Sequence, residues 1–238
     1  MQSTSIASAG SGEAPPAVAP WWHTLLVILP LAVGSIVSWR QGGLSGVHVS
    51  GLSPRLSSYF VVLAEEWVVV LLIWFWLRRS GLGLGELIGQ RWRGLGSFFR
   101  DIGIAAAFLV ITVPLVGALT HFAFPHTNIN LTKVTPKTPV ELGVWFVLSA
   151  TGGFCEEIIF RGYLSRQFSG WMKSSWAGLI GQAILFGLAH GYYHGAMAVI
   201  VVEGLFYGLL AQWRKSLLPG ILAHGLQDAL GGLLSYLS

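Results

Sequence analysis

"TPVELGVWFVLSATGGFCEEIIFRGYLSRQF", residues 138–168, decides the fold. Thr138 can cap a helix, Pro139 suits its first position, and Glu141 completes a Thr-x-x-Glu capping box. No further proline follows through Phe168, so the pattern predicts a helix longer than a bare membrane span, with the span itself at 140–166. Glu156, Glu157 and Arg161 lie in its second half, where an apolar surrounding tolerates ionisable groups only for a purpose.

Working outward, 53% of the 238 residues are hydrophobic and only 10% are charged. Soluble domains carry about 25% charged residues. The chain therefore reads as all-α, a polytopic transmembrane helix bundle of about seven spans, within a range of six to eight. The spans fall near 21–39, 57–77, 99–120, 140–166, 174–190, 194–213 and 217–237. Residues 1–20, small and polar with three prolines, read as a disordered tail before a membrane-embedded bundle at 21–238. No Lys or Arg precedes the first apolar stretch, which argues against a cleaved signal peptide. The stretch 81–98 mixes Leu, Ile, Trp and Arg as a short interfacial helix would.

Cysteine and charge remove several function classes. The single Cys155 rules out an internal disulfide framework and any multi-cysteine metal site, and apolar surroundings leave it inert. The net charge of +4 comes without a basic run, so no nucleic-acid partner is expected. Loop charge instead sets topology. Arg78, Arg79, Arg91, Arg93, Arg100, Arg166, Lys173, Arg214 and Lys215 follow the even-numbered spans, against Arg40, Arg55, Lys133 and Lys137 on the other side. Nine against four favours the first set in the cytosol.

Six acidic residues lie well inside the spans: Glu65, Glu66, Glu156, Glu157, Glu203 and Asp228. A charge at the bilayer centre costs about 2.5–3.5 kcal/mol, so each should face the bundle interior or a wet cavity. Glu157 and Arg161 are four apart and can pair on one helical face. Glu156, about 100° around the helix, has no partner there and is free to exchange a proton. "FGLAH" sets Phe186 and His190 four apart, and "HGLQD" does the same for His224 and Asp228. Three helices thus present ionisable groups to one interior, as a hydrolytic site requires. The bland reading of each is a packing ion pair or an interhelical hydrogen bond. Glu65 and Glu66 lack an arginine four residues on and read as helix pairing, with lining the cavity or contacting substrate as the alternative. His194 in "HGYYHG", with its tyrosines, reads as a turn at the membrane interface.

The ordered set Glu-Glu-x-x-x-Arg, Phe-x-x-x-His and His-x-x-x-Asp, over about residues 138–237, resembles the CPBP family of intramembrane proteases. That family includes the type II CAAX prenyl endopeptidases and bacterial bacteriocin-immunity proteins. The resemblance implies cleavage of a peptide bond in a membrane cavity that opens toward the cytosol. It implies Glu156 as general base, His190 orienting the water, Glu157 and Arg161 in support, and His224 and Asp228 at the oxyanion. The family more often has Asn where Asp228 stands, and an ionised Asp cannot donate, so Asp228 is either protonated or orients His224. His190, His224 and Glu156 also have the composition of a zinc site, the one cofactor these residues suggest, although the chemistry leans to a metal-free glutamate base. The expected partners are membrane lipids and a peptide or lipidated protein substrate. A proton-coupled transporter would use similar groups but calls for a repeat, and none is evident. A non-catalytic scaffold or immunity protein would keep the residues for packing.

Depth is the difficulty with a single site. At about 1.5 Å per residue, Glu156 should lie roughly 15 Å, His224 about 10 Å and His190 about 24 Å from the same membrane face. Only tilt, a deeper fifth helix or different span boundaries can bring them together.

Overall fold

The computed structural model describes residues 16–44, 47–125 and 131–238. Residues 1–15 of the expected tail lie outside that set. Among the described residues the chain is helical, without strands: α1 (Trp21–Gln41), α2 (Pro54–Arg79), α3 (Leu84–Ile88), α4 (Leu95–Ala123), α5 (Pro139–Glu156), α6 (Ser165–Met172), α7 (Ser175–Ala189), α8 (Met197–Arg214) and α9 (Leu218–Leu237). A π-helical segment, Glu157–Leu164, joins α5 to α6.

Five stretches are long and apolar enough to cross a membrane: Trp21–Gln41, Pro54–Arg79, Leu95–Ala123, Pro139–Met172 and Gly191–Arg214. The protein is an integral multi-pass membrane protein. The other two expected spans form helices that do not meet the same standard. α7 is short at 15 residues. α9 has 20 residues, but His224, Gln227 and Asp228 lower its apolarity. The expected interfacial helix at 81–98 shrinks to the five residues of α3, because glycines bound it on both sides at Gly83 and Gly89.

The start of α5 forms half the expected capping box. Thr138 Oγ1 accepts from the Glu141 N–H at 3.2 Å. The Glu141 carboxylate does not reach back to Thr138. It accepts from the Lys137 N–H at 2.9 Å and the Ser53 hydroxyl at 2.8 Å, tying α5 to the cap of α2.

At the other end the helix runs through the π-helical segment and α6 to Met172, beyond the expected boundary at 166. Arg166 suggested a loop, but Gln167 and Ser169 are buried and the helix continues. The Gln167 side chain accepts from the N–H groups of Val18 and Ala19, at 3.0 and 3.1 Å, and fixes the approach to α1.

The core lies where α2, the π-helical segment and α7 meet, with Val69, Ile73, Ile158, Phe160 and Phe186 among its buried side chains. Outward-facing residues such as Val110 and Phe122 are 74% and 80% exposed, an apolar surface suited to lipid. α5 and α9 approach closely at glycine. A Cβ on Gly153 would stand 2.6 Å from the Gly225 nitrogen, closer than real side chains allow. Gly153→Ala is therefore expected to destabilise the protein by about 1–3 kcal/mol through overpacking. A thermal unfolding midpoint equal to wild type would contradict this crossing.

Loop charges gather at two opposite ends. At one, Arg214 and Arg100 reach Asp101 at 3.3 and 3.1 Å, and Lys215 O accepts from the Gln90 N–H at 3.0 Å. At the other, Lys133 donates to Gln41 O at 3.0 Å, Arg55 to Thr132 O at 2.8 Å and Lys137 to Ser235 O at 3.4 Å.

Candidate active site

Between Glu156 and His190 the depth difference disappears once the helix ends are known. His224 joins them because α9 starts beside Gly162, where a Cβ would stand 3.3 Å from Leu217. α7 turns back after Met172, so Glu156 on one arm and His190 on the other both lie about 24 Å from the turn. The carboxylate of Glu156 stands 4.0 Å, at Oε2, from His190 Nε2. His224, two turns into α9, brings its own Nε2 to 3.6 Å from the same oxygen.

Each imidazole is oriented from behind. The His190 Nδ1 lies 2.7 Å from the carbonyl of Phe186, four residues earlier. A carbonyl only accepts, so Nδ1 carries the proton, and in the neutral ring Nε2 is an acceptor. The Nδ1 of His224 lies 3.2 Å from Glu157 Oε1. Second partners of this kind fix both the tautomer and the ring direction.

Glu157 is fully buried and meets Arg161 at 3.1 Å. Their four-residue spacing on the helix survives the π-helical segment, in which all eight residues are buried. Arg161 is held between aromatic faces, its Cζ 4.0 Å from the Phe186 ring centre and 5.1 Å from that of Tyr207. Cation–π contacts of this kind contribute about 2 kcal/mol or more where water is excluded. Phe186 also packs on His190 and His224, with ring centres 4.6 and 5.8 Å away. One phenyl ring thus touches the supporting arginine and both histidines.

Asp228 sits at the rim, its side chain 39% exposed and Oδ2 3.8 Å from His224 Nε2. That distance is beyond a hydrogen bond. Its backbone carbonyl accepts from Trp145 Nε1 at 2.8 Å, which anchors this turn of α9 to α5. The structure therefore brings Glu156, Glu157, Arg161, His190, His224 and Asp228 together from three helical segments.

A cavity of about 310 Å³ lies over these groups, near the lower end of the ~300–1,000 Å³ seen for ligand sites. Its wall includes residues that sequence reasoning placed elsewhere. Tyr192 and Tyr193, expected at the water interface, line it, because the turn Gly191–Ala196 folds over the site. His194 in that turn packs on Trp39 instead, ring centres 5.3 Å apart. Glu66, for which cavity lining stood as the alternative to helix pairing, is buried and lines the cavity. Its neighbour Glu65 does turn to α1, where a Cβ on Gly34 would stand 3.0 Å from Glu65 Oε1. Glu203 accepts from Gln227, which in turn accepts from Tyr207 at 3.1 Å. The position of Tyr193, three residues past His190, was the one available sign for the tyrosines.

Cys155 is free and fully buried. Among the described residues, no three His, Cys, Asp or Glu side chains are spaced to hold a metal ion.

Leu131, Thr135 and Ser235 form part of the cavity wall, and all three lie at the end carrying Arg55, Lys133 and Lys137. The cavity therefore lies toward that end of the bundle.

Residues 138–230 match the family described as type II CAAX prenyl endopeptidase Rce1-like. All six site residues fall inside the match. No curated protein and no solved structure matches the chain.

Proposed function

From the match of residues 138–230 to the Rce1-like family of type II CAAX prenyl endopeptidases, we propose that the protein is an intramembrane endopeptidase in which Glu156 activates water. One observation carries this reading: the Nε2 atoms of two histidines from separate helices face one oxygen of Glu156, beside a cavity. Two acceptors facing each other, the Glu156 oxygen and His190 Nε2, call for a donor between them, and a water molecule supplies O–H groups to that space.

In the proposed reaction Glu156 takes a proton from water, and the water oxygen bonds to the carbonyl carbon of the substrate peptide. His190 Nε2 accepts the second O–H and holds the water. His224, carrying a proton on Nε2, donates to the oxyanion, a contribution of about 2.7–4 kcal/mol where such donors have been removed. Glu156 then gives its proton to the leaving nitrogen as the C–N bond breaks, releasing an amine and a new carboxylate. Glu157 and Arg161 hold His224 in place from behind. Asp228, 3.8 Å from His224 Nε2, adds a carboxyl group at the rim of the site without bonding to that nitrogen.

The substrate class follows from the setting. A site reached from within a bilayer favours a polypeptide with a lipid or apolar anchor, and the family adds prenylated C-termini as one candidate. The test is cleavage of a panel of lipidated and transmembrane peptides by purified protein. His190→Ala is expected to reduce kcat by about 10²-fold, the lower range for a group assisting proton transfer. Cleavage is expected to persist after exhaustive dialysis against a metal chelator, with its rate regained by no added divalent ion. Loss on dialysis and recovery with zinc would replace the glutamate base with a metal-bound water.

A further inference from the structure

Glu66 reaches the site from α2, a helix outside the residues 138–230 that match the family. It is 6% exposed. A Cβ on Gly152 would stand 3.5 Å from its Oε1 and 3.8 Å from its Oε2. Gly152 and Glu156 are four residues apart on α5 and share a face. The absence of a side chain at Gly152 thus gives the Glu66 carboxyl room beside the turn that carries Glu156. The two carboxyl groups come within hydrogen-bonding reach. Both line the main cavity and the smaller apolar pocket next to it.

Such a contact requires a proton. Among the described residues, no donor bonds to the buried Oε2 of Glu66 or to the buried Oε2 of Glu156. Ionised carboxyl groups only accept hydrogen bonds, and two of them in contact away from water repel. One proton between them removes the repulsion and supplies a donor. The surroundings decide which residue carries it. Glu156 has the Nε2 atoms of His224 and His190 at 3.6 and 4.0 Å, and in the proposed reaction His224 holds a proton there. Glu66 has acidic neighbours instead: Glu156, Glu65 on its own helix and Asp228 on the cavity wall.

We propose that Glu66 is a positioning residue for Glu156: it keeps a proton, donates the hydrogen bond to the Glu156 carboxylate and holds that carboxylate, ionised, toward the two histidines. The positioning role rests on the endopeptidase reading; the shared proton does not. Glu66 gives up no proton during the reaction, so the transfers from water to Glu156 and from Glu156 to the leaving nitrogen balance without it.

Two substitutions in the full chain separate the donor from the space it fills. Glu66→Leu removes the donor and keeps a side chain of similar volume. Glu66→Gln keeps a donor, its amide N–H, and removes the carboxyl proton. Glu66→Leu is expected to lower kcat by about 10²-fold with KM almost unchanged, the cost of misplacing a reacting group by about 1 Å. Glu66→Gln is expected to recover about tenfold of that loss, because its amide still orients Glu156. Infrared spectra of the purified proteins give a readout that needs no cleavage, since a protonated carboxyl has a C=O stretch apart from the carboxylate bands. The expected band is present in wild type and in Glu156→Gln and missing from Glu66→Gln. Its absence from wild type, its persistence in Glu66→Gln, or equal kcat for Glu66→Leu and Glu66→Gln would overturn the proposal. The expected band in a protein that cleaves no peptide would uphold the shared proton and refute the endopeptidase reading.

Discussion

Glu156→Gln is expected to lower kcat by about 10³-fold with little change in KM, within the 10²–10⁴ range for a general base. Glutamine keeps the size and hydrogen-bonding reach of the side chain but cannot take a proton from water. Glu156 has no arginine or lysine partner among the described residues; two histidines and the carboxyl of Glu66 stand near its carboxylate. Removing its charge therefore leaves no buried cation unpaired, and the unfolding midpoint should stay close to wild type. A structural role would show the reverse, a lower midpoint with cleavage retained. Measuring kcat, KM and thermal unfolding on the same preparation separates the two.

Arg161→Leu is expected to cost about 3–5 kcal/mol of stability, as when one member of a buried pair is removed. Glu157 is fully buried and has Arg161 at 3.1 Å, so the variant strands a carboxylate with only His224 beside it. It also removes the cation packed between Phe186 and Tyr207. The double variant Glu157→Leu with Arg161→Leu should be less destabilised than Arg161→Leu alone, because no buried charge is left behind. It should nonetheless be inactive, since His224 loses the acceptor that fixes its ring. Equal stability of the single and double variants would show that Glu157 is not the source of the cost.

The sequence made the helical class and the membrane setting legible because both depend on local features: long apolar runs, a Thr138–Pro139 start, and acidic residues too deep to be loop charges. The six site residues were readable for the same reason. Their four-residue spacings are helix geometry, and their isolation in apolar segments marked them. Their mutual arrangement was not readable. The expected end at 166 left His190 too deep, and only the continuation of the helix to Met172 brings His190 level with Glu156. Arg166 looked like a loop charge, yet its neighbours Gln167 and Ser169 are buried and keep the chain helical.

Other features depend on how whole helices are rotated against one another, which no local pattern records. Glu65 and Glu66 are adjacent in sequence, yet one meets α1 and the other lines the cavity. The contact of His224 with Glu157 joins residues far apart in the chain, and the approach that permits it requires Gly153 against Gly225. The π-helical segment has no residue that announces it, although such distortions gather at functional sites. Asp228 illustrates a different limit. Its spacing from His224 was read correctly as one helical turn, but its role at the oxyanion depends on a distance that only the folded chain gives.

The central claim is that this cavity hydrolyses a peptide bond with water activated by Glu156. Purified full-length protein, incubated with lipidated and transmembrane peptides in ¹⁸O-labelled water, tests it most directly by mass spectrometry of the fragments. The expected result is a new C-terminus carrying one ¹⁸O atom, formed by wild type and not by Glu156→Gln. Folded wild-type protein that leaves every peptide intact, or equal cleavage by the variant, would contradict it.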